Sequence, residues 1–182
     1  MILNQENTQI LIIDIQEKLL NASFNKEIIE KKSEIISKAA TILNIPVIVT
    51  EQYPKGLGET IDSIKENLSA DNTKYFEKVS FSALADSELL KQLKKNKKQQ
   101  VIVLGIETHI CVHQTVADLL KLGCNVVIAS DACGSRSELE HICGLENMKS
   151  SGAEIKTTEM ILFELLKTAK HNKFKEIQAL IK

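Results

Sequence analysis

A thiol, several carboxylates and an ammonium stand directly after short apolar runs in this chain, a set that can carry covalent acyl transfer. Cys111 follows the run Val101–Gly105, which reads as a buried strand, and opens Ile110–Leu120, which reads as a helix. A thiol at such a junction meets unpaired backbone N–H groups and a positive dipole end, and both favour the thiolate. A small cysteine packed under a helix fits the same position. Asp14 ends the run Ile10–Ile13, where a carboxylate is costly unless it is paired. It serves there as a partner for a charge, or as a cap for the turn into Gln16–Leu20. Lys78 follows the aromatic pair Tyr75–Phe76, in reach of partial burial near Asp14 and Cys111, although most lysines lie on the surface.

These residues need a scaffold that gathers strand ends, and the rest of the chain supplies one. Apolar, β-branched runs at Gln9–Asp14, Pro46–Thr50, Gln100–Leu104 and Asn125–Ala129 recur between helical patterns, with weaker strands at Tyr75–Lys78 and Ala153–Lys156. The helical patterns lie near 25–44, 60–68, 86–95, 109–122, 137–151, 158–168 and 173–181. Unbroken apolar strands are buried on both faces, and alternation with helices implies parallel pairing through right-handed crossovers. The expected fold is α/β: a Rossmann-like, three-layer α/β/α sandwich on a mostly parallel sheet of about six strands. Residues 1–182 form one domain, since no Pro/Gly/Ser linker, repeat or change of composition divides them. In such a sheet, ligands bind outside the carboxyl ends of the strands, where Asp14, Glu51, Lys78, Cys111 and Asp131 fall.

Composition narrows the partners. The chain carries 23 basic and 24 acidic residues, so nothing in its charge argues for nucleic acid or an anionic membrane. The lysine-rich stretch Lys91–Lys98 reads as a solvated helix end. No segment approaches the roughly 20 apolar residues of a membrane helix. The four cysteines form no CxxC pair and do not resemble a disulfide framework, so Cys124, Cys133 and Cys143 read as small core residues and cytoplasm is the expected location. His109 and His113 flank Cys111, but positions two apart on a helix point to different faces, which disfavours a metal there. Neither nucleotide-binding glycine motif occurs, and no cofactor is expected.

Taken together, Leu11–Gln16, Val49–Gly58, Glu77–Ser82 and Gly105–Val112, extended by Asp131–Arg136 and Phe174–Gln178, resemble the isochorismatase-like cysteine hydrolase superfamily. Within it the chain looks most like the isochorismatase domain-containing proteins. The resemblance implies an Asp14–Lys78–Cys111 catalytic triad. It also implies a cis peptide between Ile106 and Glu107, with the backbone N–H groups of Glu107 and Cys111 forming an oxyanion hole. Gln52, Tyr53, Phe81 and His109 are the expected pocket-lining residues, and a small molecule is the expected substrate. Metal-dependent nicotinamidases of this superfamily carry Asp-x-His after the second strand. The corresponding stretch here is Glu51–Pro54, so no metal site is expected and nicotinamide is disfavoured. Many members are homo-oligomers, which sets the same expectation here, with Arg136 either at a contact with a neighbouring subunit or capping local carbonyls. Two other readings keep the fold: a silent binding or scaffold protein, and a thiol redox sensor acting through Cys111.

Overall fold

Six parallel strands stand in the order β3-β2-β1-β4-β5-β6 in the computed structural model, which describes residues 1–182. They are β1 (Thr8–Ile13), β2 (Val47–Gln52), β3 (Thr73–Lys78), β4 (Gln100–Ile106), β5 (Asn125–Gly134) and β6 (Glu154–Lys156). The first helices are α1 (Glu17–Asn21), α2 (Lys26–Ile42), α3 (Pro54–Leu57), α4 (Asp62–Lys65) and α5 (Ser87–Lys95). The later ones are α6 (His113–Lys121), α7 (Glu138–Ser150), α8 (Thr158–Leu166) and α9 (Phe174–Ala179). The expected three-layer α/β architecture is the one observed. Every residue of β1 and β4 is buried, and their apolar runs Ile10–Ile13 and Val101–Leu104 belong to a core of 44 buried apolar residues.

Strand order places the chemistry. The chain moves outward from β1 through β2 to β3, then returns to lay β4 against the other side of β1. That reversal opens a crevice at the carboxyl ends of β1 and β4, the place where open α/β sheets take ligands. Asp14 leaves β1 there with φ of 51°, a left-handed conformation that turns the chain at once out of the sheet. Gly105 sits beside it, paired with Ile13, at φ of 141°. A Cβ on Gly105 would meet the Ile13 carbonyl oxygen at 2.1 Å, so glycine alone lets β4 pass this close to the end of β1.

Several boundaries differ from the sequence expectation. The pattern at 109–122 divides into a π-helical turn, Thr108–Val112, followed by α6. The pattern at 60–68 contracts to α4, and α1 and α3 are short helices within loops. Strand β5 runs beyond Ala129 to Gly134, because its register against β4 shifts between Val103 and Gly105 and pairing resumes at Cys133. Asp131 falls in that shifted segment. Its Oδ1 accepts from the Thr158 N–H and hydroxyl, both at 2.8 Å, so it anchors the start of α8 rather than joining the crevice.

The Gly105 contact yields a stability prediction. Gly105→Ala combines overpacking with a disfavoured φ and should lower the unfolding free energy by about 3 kcal/mol or more. At Gly123, with φ of 77° and nothing within 4 Å of an added Cβ, alanine should cost only about 1–2 kcal/mol. Urea unfolding of both variants checks this, and equal midpoints would contradict the close-approach account.

Candidate active site

The crevice is built around one buried ion pair. Lys78 Nζ lies 2.6 Å from Asp14 Oδ2, and the two side chains are 1% and 0% exposed. Their strands are not neighbours, since β2 lies between them. From β2, the Thr50 hydroxyl donates to Asp14 Oδ1 at 2.7 Å, and Gln52 Oε1 accepts from Lys78 at 2.7 Å. Thr50 and Gln52 are two apart on a strand and so face the same side. Lys78 also donates to the carbonyls of Ser80 at 3.1 Å and Phe81 at 3.2 Å. Four oxygens thus surround an ammonium that has three N–H bonds to give.

Cys111 lies in the π-helical turn after β4, nearly buried, and both members of the pair act on its thiol. Burial pushes the thiol up to about 12, the negative charge of Asp14 adds to that rise, and Lys78 pulls against it. Burial and Asp14 therefore act against the bias toward thiolate expected of the strand-to-helix junction, while Lys78 acts with it. Removal from water disfavours the charged form, and the adjacent carboxylate repels it. The balance of these groups favours the thiol over the thiolate in the resting site. Its carbonyl accepts from the Thr115 hydroxyl at 2.6 Å, and Thr115 Oγ1 in turn accepts from the Ala83 N–H at 3.0 Å, tying the turn to the segment after Lys78.

The Ile106–Glu107 peptide bond is cis. Ile106 is fully buried at the end of β4, and the Glu107 N–H donates to no backbone carbonyl. Glu107 Oε1 accepts from Arg136 Nε at 2.9 Å, so this exposed arginine pairs with a carboxylate rather than capping local carbonyls. His109 is turned toward α7, with Nδ1 3.0 Å from Ser135 Oγ and Nε2 3.7 Å from Glu140. Nearby, Thr108 Oγ1 lies 2.9 Å from Nδ1 of His141 on α7.

The expected pocket residues separate. Both ends of the Gln52 amide are engaged inside the protein, Oε1 by Lys78 and Nε2 by the Val79 carbonyl at 2.9 Å, so Gln52 braces the ion pair. Tyr53 is exposed and lines a groove of about 490 Å³ beside β3, together with Lys78, Val79, Ser80 and Asp86. Lys78 is the link between this groove and the crevice, and neither Asp14 nor Cys111 lines it. Phe81 gives its carbonyl to Lys78 while its side chain is exposed. Glu51 accepts from the Thr60 N–H and hydroxyl at 2.7 and 2.8 Å, away from the pair. Cys133 is buried and Cys124 half-buried, but Cys143 is exposed on α7, contrary to the expectation of a core position; all four cysteines are free. Thr50 is the residue that sequence reasoning missed. Its place two positions before Gln52 was the available signal.

The model of the isochorismatase domain matches residues 8–160. Isochorismatase family protein 1A of Dictyostelium discoideum is 44% identical over 175 residues, covering 94% of this chain and 84% of that relative. Isochorismatase domain-containing protein 2 of Xenopus laevis is 40% identical over 181 residues, covering 98% of this chain and 85% of its own. Among solved structures, the MAR1 ribonuclease from Caenorhabditis elegans superposes with a TM-score of 0.94 at 41% identity, covering 100% of this chain and 92% of that one. YcaC from Pseudomonas aeruginosa shares the fold, with a TM-score of 0.92 at 22% identity over 99% of this chain and 90% of its own. On the strength of the domain match and these relatives, the chain belongs to the isochorismatase family.

Proposed function

We propose that the protein is a metal-independent cysteine hydrolase of small amides or related carbon–nitrogen bonds. Cys111 is the nucleophile, Asp14 carries the proton, and Lys78 supplies the compensating charge. The observation that carries this reading is the fully buried Asp14–Lys78 pair acting on a nearly buried thiol. Groups of this kind are kept out of water at a cost, and their gathering at a strand-end crevice favours a chemical role. The nucleophile is made on demand: with substrate bound, Asp14 takes the thiol proton as sulfur attacks the carbonyl carbon. Protonation of Asp14 weakens its hold on Lys78, so one N–H of the ammonium turns from the carboxyl to the sulfur. The oxyanion then forms against the N–H groups of Glu107 and Cys111. The unclaimed Glu107 N–H supports that assignment.

The next steps return every group to its start. The tetrahedral intermediate collapses as Asp14 gives its proton to the leaving nitrogen, and the C–N bond breaks to leave a thioester. Asp14, again a carboxylate, takes a proton from water as the water oxygen attacks the thioester. The carboxylic acid product leaves, and the sulfur recovers the proton from Asp14. YcaC from Pseudomonas aeruginosa, which shares the fold, holds covalent acrylamide in its structure. The MAR1 name of the Caenorhabditis elegans relative raises RNA as another substrate. Lys78 is already surrounded by four oxygens and the formal net charge is −1, which favours a small neutral substrate over a polyanion.

We also propose a homo-oligomer assembled through α7. Of its thirteen residues only Gly144 and Met148 are buried, and Leu139, Ile142 and Cys143 are exposed. Exposed Phe24 continues the patch, with its ring 5.8 Å from that of His141. Apolar side chains grouped on a helix face mark an interaction surface. The related fold of YcaC from Escherichia coli is described as an octameric hydrolase.

Rapid-quench mass spectrometry with a panel of small primary amides should detect a transient acyl adduct on Cys111. Cys111→Ala should abolish turnover, and Asp14→Asn should reduce it by about 10²–10⁴-fold. Cleavage of RNA by the wild type and not by Cys111→Ala, without any acyl adduct, would overturn the amide reading. Acrylamide addition to Cys111 should show an acid limb and then a plateau, because the carboxylate must be ionised to take the thiol proton. A rise that tracks hydroxide throughout, the same in Asp14→Asn, would contradict Asp14 as the base. In light scattering, Leu139→Asp with Ile142→Asp should reduce the oligomer to smaller species; an unchanged mass would remove α7 from the interface.

A further inference from the structure

The Asp14 carboxylate is held from two sides by groups of different kinds. Lys78 grips Oδ2 at 2.6 Å, and the Thr50 hydroxyl grips Oδ1 at 2.7 Å. Thr50 is fully buried, and its register partner on β1 is Ile13, the residue immediately before Asp14. The backbone repeats the arrangement, with the Asp14 N–H donating to the Thr50 carbonyl at 3.1 Å. Thr50 therefore fixes the residue at both its main chain and its side chain. The ionisable groups that face the carboxylate are Lys78 from β3 and Cys111 from the turn after β4. The next acid on β2, Glu51, is bonded to Thr60 instead. Thr50 is thus the neutral donor among charged or ionisable neighbours.

We infer that Thr50 is a positioning residue that orients the Asp14 carboxylate toward Cys111 and sets how readily it accepts the thiol proton. The inference rests on the proposed role of Asp14 as the base. A hydroxyl that donates to a carboxylate stabilises its ionised form and lowers its affinity for a proton. The ion pair alone would leave Oδ1 free to rotate away or to pick up a proton. With Thr50 in place, Oδ1 is held by a hydroxyl donor and the carboxylate is kept in a fixed plane. Valine at this position preserves the β-branched shape that a central strand favours and removes only the donor. Serine restores the donor with one methyl less.

The test follows acrylamide addition to Cys111 by intact-protein mass spectrometry between pH 4 and pH 9, at about those limits, in wild type, Thr50→Val, Thr50→Ser and Asp14→Asn. In this reaction sulfur bonds to the terminal alkene carbon, the neighbouring carbon gains a proton, and nothing is lost, so the protein gains the mass of one acrylamide. Thr50→Val should move the midpoint of the acid limb up by about one pH unit, and Thr50→Ser should bring it back close to wild type. A structural role alone would change melting or overall rate without moving that midpoint. If Asp14→Asn loses the acid limb while Thr50→Val matches wild type, Thr50 has no such role and the assignment of Asp14 stands. If Asp14→Asn keeps the wild-type limb, the assignment of Asp14 as base fails, and the role of Thr50 fails with it.

Discussion

The buried pair of Asp14 and Lys78 is the constraint on which the rest of this structure depends. Two charges withdrawn from water are tolerated only with close pairing and further hydrogen bonds, and removing one partner of such a pair typically costs about 3–5 kcal/mol. Here the further bonds come from separate segments: Thr50 and Gln52 from β2, and the carbonyls of Ser80 and Phe81 from the chain beyond β3. The sheet order makes this possible, because β2 lies between the strands that carry the two charges. The left-handed turn at Asp14 and the bare backbone of Gly105 then bring the β1 end and the β4 end together. What looks like a local ion pair is a joint among four strands.

That joint also decides the state of Cys111. The start of a helix favours a thiolate by about 0.3–1 kcal/mol. Against it stand burial and the Asp14 charge, which carry the thiol from 9.0 to about 12. The rise persists with Lys78 opposing it, so burial and the carboxylate together outweigh the ammonium. The geometry is better suited to a protected thiol that yields its proton to Asp14 than to a standing nucleophile. A protected thiol resists adventitious oxidation, which depends on thiolate character and access. The redox-sensor reading is weakened for the same reason.

Much of the fold was legible because it follows from patterning. The unbroken runs Ile10–Ile13 and Val101–Leu104 could only be central strands, and both are fully buried. The carboxyl-end positions of Asp14, Lys78 and Cys111 followed from that, and the family resemblance joined them into one candidate site. The rest was hidden for physical reasons. Ser130 and Asp131 interrupt the apolar run of β5, so its continuation to Gly134 rests on pairing with β4 that no local pattern announces. Five residues are too few to separate a π turn from an α turn by periodicity, which concealed the form of Thr108–Val112. Thr50 reads as one more strand-forming residue after Val47–Val49, and Gln52 reads as a pocket residue. Their roles depend on the direction of side chains around a charge contributed by other strands.

In the proposed reaction Cys111 starts as a protonated thiol beside the Asp14–Lys78 pair and becomes a nucleophile by passing its proton to Asp14. Infrared difference spectroscopy of the resting protein at neutral pH, with Cys111→Ala as the reference, reads the S–H stretch of this one residue directly. The account predicts a clear S–H band from Cys111 in the unliganded protein. Absence of that band, with the sulfur already ionised beside Lys78, would contradict it.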